Sequence, residues 1–263
     1  MKIAFVKYHG AGNDFILTYG GKKGLGLRPQ QIRNLCHRQL GIGADGFLEI
    51  MRTPQADFAV RYHNSDGNVG TLCGNGSRCA VHFARKLKLC GRKARFLAAD
   101  GLHEGYLTQK RTVRISIRDV HLTPNTLPLF VDTGSPHLVF QVPDLDAVDV
   151  EQQGRLIRFS DAYRATGVNV NFMSLEDGQL RLRTYERGVE AETLSCGSGA
   201  VAAAIAAAVW RNQQGASIRV PVVSAGGTLV VTFSREKPEW FTDIWLEGPV
   251  EPVFSGTITI GKA

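Results

Sequence analysis

Two short stretches hold the residues best placed to do chemistry. Cys73-Gly74-Asn75-Gly76 and Cys196-Gly197-Ser198-Gly199 both spell C-G-x-G, and small and apolar residues at helical spacing follow each. A cysteine just ahead of a helix's first turn meets unpaired N–H groups and the positive end of the helix dipole. That setting stabilises a thiolate and lowers the thiol pKa below its free value of about 8.5. The glycines let a ligand approach the backbone, and the same N–H groups can hold a carboxylate. With a carboxylate-bearing carbon between two such sites, one thiolate removes its proton and the opposite thiol returns one on the other face. The carbon is inverted, and donors at both helix starts stabilise the intervening enediolate. A base and an acid of one residue type suit a reversible inversion.

Plainer readings compete. A lone cysteine before a helix is more often a small buried hydrophobe; a matched pair is harder to explain by packing. A nucleophilic pair of cysteine with His137 leaves the second thiol idle. A Cys73–Cys196 disulfide formed on oxidation would be a redox sensor and could coexist with catalysis. Cys36, Cys79 and Cys90 have no C-G-x-G context and are read as inert thiols.

The elements that carry the two loops repeat. Strand patterns cover residues 3–8 and 15–17, then 47–50 and 58–63, with helical spacing over 29–40 between them. A helix over 76–89 follows the first thiol, then strands near 94–98, 103–107 and 113–117. The order restarts with strands at 129–131 and 138–140, a helix over 144–158 broken near Gly154, and strands at 168–173 and 180–185. The second thiol opens a helix over 200–211, and late strands lie near 218–223, 228–233, 244–246 and 257–260. A shift of 123 takes Cys73 to Cys196, Tyr62 to Tyr185 and Ala80 to Ala203, and a shift of 122 takes Asn13 to Ser135. This is too long for a solenoid period; it reads as a duplicated α/β domain. The first half is expected over 1–119 and the second over 120–249.

Composition narrows the class. With 263 residues and 43% apolar content, the chain can bury a full core. No apolar run reaches the roughly 20 residues of a membrane span, and Met1–Phe15 does not resemble a signal peptide. A cytoplasmic location with reduced thiols is expected. The five cysteines include no C-x-x-C pair, so no metal site is expected. The net charge of +7 includes a basic cluster from Arg85 to Arg95. It lacks interleaved aromatics or a nucleic-acid-reading motif, so it is read as a solvated surface with no nucleic-acid partner.

At these residues the chain resembles the diaminopimelate epimerases, which act without pyridoxal phosphate. The resemblance rests on His9-Gly10-Ala11-Gly12-Asn13-Asp14-Phe15, Gly41-Ile42-Gly43-Ala44-Asp45-Gly46, Asn64-Ser65-Asp66-Gly67, the two C-G-x-G stretches, Pro136-His137, Asn169, Glu186-Arg187-Gly188 and Glu192-Thr193. Taken in order, the set spans nearly the whole chain. It implies interconversion of LL- and meso-2,6-diaminopimelate in lysine biosynthesis, with no cofactor and no metal. The alternative is a related racemase for another amino acid. The resemblance also implies two pseudo-symmetric α/β domains, each a mixed, mostly antiparallel sheet wrapped round a central helix. The active site would lie in the interdomain cleft, the last strand near 250–263 would return to the first domain, and the enzyme would be a homodimer. By the same resemblance Cys73 and Cys196 are the acid/base pair, and Gly74, Asn75, Gly197 and Ser198 bind the carboxylate at the reacting centre. Asn13, Asn64, Asn169, Glu186 and Arg187 hold the substrate, Arg187 through its bidentate fork. His137 and Glu186 support the thiols or orient the substrate. The chain departs from the usual pattern at Gly46, where many members have Gln, at Ser135, where many have Asn, and at Asn68-Val69-Gly70, where a more acidic stretch is usual.

Overall fold

A computed structural model describes residues 1–122, 128–176 and 178–261. The chain divides into two compact units, Met1–Ile115 with Gly248–Ala263, and Ser116–Glu247. Both boundaries fall inside strands. Residues 262–263 of the expected returning segment lie outside the described residues.

The first unit runs β1 (Lys2–Gly10), β2 (Asn13–Gly21), α1 (Pro29–Cys36), β3 (Gly46–Met51), β4 (Phe58–Asn64), α2 (Gly74–Lys86), β5 (Lys93–Ala98), β6 (Gly101–Gln109) and β7 (Thr112–Ile117). The second runs β8 (Val120–His121), β9 (Leu129–Asp132), β10 (Pro136–Gln141), α3 (Val150–Arg158), β11 (Asn169–Glu176), β12 (Gln179–Glu186), β13 (Ala191–Thr193), α4 (Gly197–Trp210), β14 (Gly215–Ser224), β15 (Gly227–Lys237) and β16 (Trp240–Pro249). The last strand, β17 (Glu251–Thr259), pairs antiparallel with β1.

The two sheets share one plan. In the first, β1–β2 is antiparallel, β2–β3 parallel, β3–β4 antiparallel, β4–β5 parallel, and β5–β6–β7 antiparallel. The second repeats that order of senses through β9–β10, β10–β11, β11–β12, β12–β14 and β14–β15–β16. Each unit is thus a mixed, mostly antiparallel sheet, as expected from the resemblance. Each parallel step needs a crossover; α1 and α3 supply one, α2 and α4 the other.

The helices divide the two faces of each sheet. On the outer face of the first unit, α1 buries Ile32, Leu35 and Cys36 against Phe5, Ile16 and Phe47. On that of the second, the α3 segment packs Val150 against Leu138, Val170, Phe172 and Tyr185. The inner faces hold α2 and α4, which touch most strands of their own sheet. Helix α4 is almost entirely Gly, Ala, Val and Ile and is buried all round, as such a composition requires. In α2, every residue from Gly74 to Ala84 is buried.

Four details differ from the sequence reading. The two central helices begin earlier than expected, because each cysteine is itself the N-cap and the following glycine opens the first turn. Helix α1 ends at Cys36 rather than at residue 40, where the His37 ring takes the N–H groups of Gln39 and Leu40. Helix α3 begins at Val150 rather than at residue 144 and passes through Gly154 without a break. A Cβ there would lie 2.3 Å from the Cβ of Tyr185, so the glycine serves close packing. Finally, the repeat slips by one residue at β4. Leu48 pairs with Tyr62, and Asn171 pairs with Thr184. Tyr62 packs its ring against Phe15 on the α2 side, while Tyr185 packs on α3. Tyr62 therefore corresponds to Thr184 and Asn64 to Glu186, since a one-residue slip sends a strand side chain to the other face.

Gly154→Ala should lower stability by about 1–3 kcal/mol through overpacking against Tyr185. Urea unfolding followed by circular dichroism measures this; an unchanged midpoint would contradict the packing account.

Candidate active site

Each thiol is placed by the same backbone device. Cys73 has φ −109° and ψ 113°, and Cys196 has φ −109° and ψ 112°. Both are extended residues whose carbonyls accept the first helical bonds, from Ser77 N at 2.8 Å and Ala200 N at 2.9 Å. In this geometry a side chain can reach the free N–H groups of the first turn; Cys73 makes such a cap bond and Cys196 does not. The Cys73 Sγ accepts from Gly76 N at 3.4 Å. The Cys196 Sγ lies 3.6 Å from Ser198 Oγ. Gly199 is obligatory here: a Cβ would sit 2.5 Å from Asn171 Oδ1 and 3.3 Å from the Cys196 sulfur.

In the first unit, Cys73 belongs to a partly buried polar chain. Its Sγ is 3.8 Å from Asn13 Oδ1, which also accepts from Asn75 Nδ2 at 3.3 Å. Asn13 in turn donates to Asp45 Oδ2 at 2.8 Å. Arg38 bonds both Asp14 and Asp45, and Lys7 pairs with Asp14. Burial alone would raise the Asp14 pKa, but bonds from Arg38 and Lys7 hold it down at about 2. The charged cluster therefore fixes Asn13 from behind. Asn64 closes a turn after β4, accepting from Gly67 N at 2.9 Å.

Arg78 is the residue that sequence reasoning missed here. It is 0% exposed, and it donates to the Gly74 carbonyl at 3.3 Å and to Asn75 Oδ1 at 2.8 Å. Burial lowers its pKa to about 10, so it remains charged at neutral pH. A fixed positive charge thus lies within the first turn beneath Cys73, in addition to the helix dipole. An arginine inside a helix normally reads as a surface residue, so only its position four residues after Gly74 hinted at a role.

In the second unit, Asn169, Ser135, Arg187 and His137 gather beside β10 and β11. Asn169 donates to Ser135 Oγ at 2.9 Å and to the Pro136 carbonyl at 3.0 Å, and its Oδ1 accepts from Arg187 N at 2.9 Å. The Arg187 guanidinium reaches the Thr166 carbonyl at 3.1 Å and Ser135 Oγ at 3.5 Å. Glu186 Oε2 accepts from Thr193 at 2.9 Å. His137 is 0% exposed, and burial, aided by the Arg187 charge, lowers its pKa to about 3. It is a neutral imidazole at neutral pH. Asn171 and Thr184, also missed, bond to one another, and Asn171 also bonds His137. The alternation Asn169-Val170-Asn171 was the available signal, since period two puts both amides on one strand face.

Burial pushes Cys36 and Cys79 up to about 12 and Cys90 up to about 11, which leaves them protonated and inert. Of the basic cluster, Arg92 caps the Leu107 and Thr108 carbonyls, and Lys93 pairs with Glu104 and lies over Tyr106. Among the described residues no helix is long and apolar enough to cross a membrane.

The buried ring makes stability depend on pH. With a folded pKa of about 3 against 6.5 in the unfolded chain, the unfolded state takes up the proton first as pH falls. Stability from this group is complete above 6.5 and declines towards 3, by up to roughly 1.4 kcal/mol per pH unit. Urea titrations at pH 7, 6, 5 and 4 should show that His137→Gln lacks this component. Identical slopes in native protein and variant would refute the assignment.

Comparison with known proteins matches most of the chain. The family model described as diaminopimelate epimerase matches residues 5–116 and 129–251. A diaminopimelate epimerase of Flavobacterium psychrophilum is 42% identical, covering 96% of this chain and 98% of its own. One of Chlorobaculum tepidum is 41% identical, covering 95% and 99%. Among solved structures, a phenazine biosynthesis protein of the PhzF family from Bacillus anthracis superposes with a TM-score of 0.75 at 13% identity, over 99% of this chain and 100% of that one. The last likeness concerns the fold alone. With a matched cysteine N-cap in each unit and relatives aligned from end to end, the chain belongs to the diaminopimelate epimerase family.

Proposed function

We propose that the protein interconverts LL-2,6-diaminopimelate and meso-2,6-diaminopimelate by two-base proton transfer at one α-carbon, as a cytoplasmic enzyme of lysine biosynthesis that needs no cofactor and no metal. The observation that carries the reading is the matching N-cap backbone geometry of Cys73 and Cys196, each at the start of a buried helix. One cysteine, as thiolate, takes the α-proton. The pair of electrons left behind spreads into the carboxylate. The other cysteine, as thiol, delivers its proton to the opposite face of the carbon, and the two sulfurs end with exchanged protonation states. The reverse reaction uses the same groups in exchanged roles.

The N–H groups of Gly74, Asn75, Gly197 and Ser198 would hold the α-carboxylate, where charge grows in the transition state. Fixed donors in a dry site are most effective there. The buried Arg78 charge favours a thiolate at Cys73. Asn13, Asn64 and Asn169 would hold polar groups of the substrate. Arg187 would pair with a carboxylate and Glu186 with an ammonium group, while His137 would serve the Cys196 side of the reaction.

A second reading has its own support. A Cβ at Gly46 would meet the Tyr62 ring at 2.6 Å, so the larger residue usual at that position does not fit beside Tyr62. Ser135 likewise supplies a hydroxyl, where an amide is usual, to both Asn169 and Arg187. These changes bear on how the far end of the substrate is held. They favour a related racemase acting on another amino acid as the alternative, and a panel of amino acids separates the two readings.

In deuterated buffer the protein should exchange and invert the α-proton of LL-diaminopimelate, read by NMR and by chiral chromatography. Cys73→Ala and Cys196→Ala should each reduce inversion by about 10³-fold or more, the usual scale for removing a positioned acid or base. Inversion at native rate by either variant would rule out the two-base mechanism. Sedimentation velocity should show a species of twice the chain mass at micromolar concentration; a monomer throughout would remove the homodimer from the proposal.

A further inference from the structure

Beneath the first turn of α4, three side chains from neighbouring strands form one buried chain. Thr184 Oγ1 donates to Asn171 Oδ1 at 2.9 Å. The Asn171 Nδ2 lies 2.9 Å from the Leu138 carbonyl oxygen and 3.1 Å from His137 Nδ1. His137, Asn171 and Thr184 are all buried. The Cβ position at Gly199 lies close to both Asn171 Oδ1 and the Cys196 sulfur, so the chain reaches the thiol's own turn.

The hydrogen positions follow from what each atom can do. The Leu138 carbonyl only accepts, so the Asn171 atom beside it must be the amide nitrogen. The Thr184 hydroxyl, on the other side, holds the amide oxygen. An amide nitrogen donates and does not accept, so His137 Nδ1 must accept from it. A neutral imidazole whose Nδ1 is bare carries its hydrogen on Nε2. That Nε2 is buried and has no hydrogen-bond partner among the described residues. Buried donors in native proteins are nearly always paired, and an exception invites a ligand.

The fold does not itself demand this polarity. Phe15 pairs with Gly46 as His137 pairs with Asn169, and Leu48 pairs with Tyr62 as Asn171 pairs with Thr184. The first unit therefore fills the equivalent positions with Phe15, Leu48 and Tyr62. Leu48 and Phe15 lie under Gly76 there, within 3.2–3.4 Å of where its Cβ would be.

We propose that Asn171, itself held by Thr184, is a positioning residue that fixes His137 in its Nε2–H tautomer, so that the ring offers a hydrogen-bond donor to negative charge in the reaction and does not act as a base. The inference rests on the reading of His137 as part of the epimerase machinery. Burial, which keeps the ring uncharged, is consistent with it.

The test uses the whole chain with ¹⁵N-labelled histidine and long-range proton–nitrogen correlation at neutral pH. The native protein should show His137 with a protonated Nε2 and a bare Nδ1. In Asn171→Asp the carboxylate can only accept, so the Nδ1 signal should move to the protonated range. The kcat for inversion should fall by roughly 10²-fold, within the range for a lost donor to developing negative charge, and KM should change less than about threefold. Thr184→Val, nearly isosteric, frees the amide to turn and should give a mixture of tautomers with a smaller fall in kcat; it serves if the aspartate variant folds poorly. A bare Nε2 in the native protein overturns the proposal. So does an unchanged tautomer in both variants, or a changed tautomer with native kcat. The nitrogen spectrum reads the tautomer whether or not diaminopimelate is the substrate, so failure of the proposed reaction and failure of this inference are told apart.

Discussion

Each unit is built round a helix that has almost no surface of its own. A helix must satisfy four N–H groups at its start, and in α2 and α4 the surrounding strands leave little water to do it. The N-cap side chain must therefore face those groups at close range. Here it is a thiol, a weak acceptor while neutral and a strong one as an anion. Burying the helix and charging the sulfur thus become one constraint: the more completely the sheet wraps the helix, the more the exposed end of its dipole favours negative charge at the cap.

That constraint explains the composition of the central helices. Helix α4 is nearly all alanine, glycine and valine because ten of its residues from Gly199 onward sit against strands with no room for larger groups. The first-turn glycines do a separate job: Gly199 leaves space for Asn171, and Gly76 for Leu48 and Phe15. The sheet can then approach the cap closely, and strand side chains reach the turn that carries the sulfur. The outer helices, α1 and α3, close the other faces and keep the strands in register without entering the chemistry.

Much of this is legible in the sequence. Two identical C-G-x-G stretches, each leading into small residues, marked both caps, and the alternating strands marked both sheets. The strand register was not legible. Tyr62 and Tyr185 match under the shift that joins the two cysteines, yet they face opposite sides of their sheets, because identity of letters carries no information about the pleat. The sequence places the helix starts late because glycine is a poor helix former, and a cap is recognised only from its dihedral angles and bonds. Arg78, Asn171 and Thr184 stayed hidden for a related reason: a polar side chain on a buried face looks like a surface residue until its partners are seen.

The same hidden residues show where the two units differ. Under the shift that joins the thiols, Arg78 in α2 corresponds to Val201 in α4, so the first unit puts its buried polar group on the helix and the second does not. The second unit puts it on the strands instead, with His137, Asn171 and Thr184 where the first has Phe15, Leu48 and Tyr62. Cys73 thus lies near a fixed cation, and Cys196 near a neutral donor network. A reaction that runs both ways across one carbon needs two groups able to exchange a proton, but it does not need them to be equal. The duplicated backbone makes the caps alike, and the unequal surroundings set which sulfur more readily holds the charge.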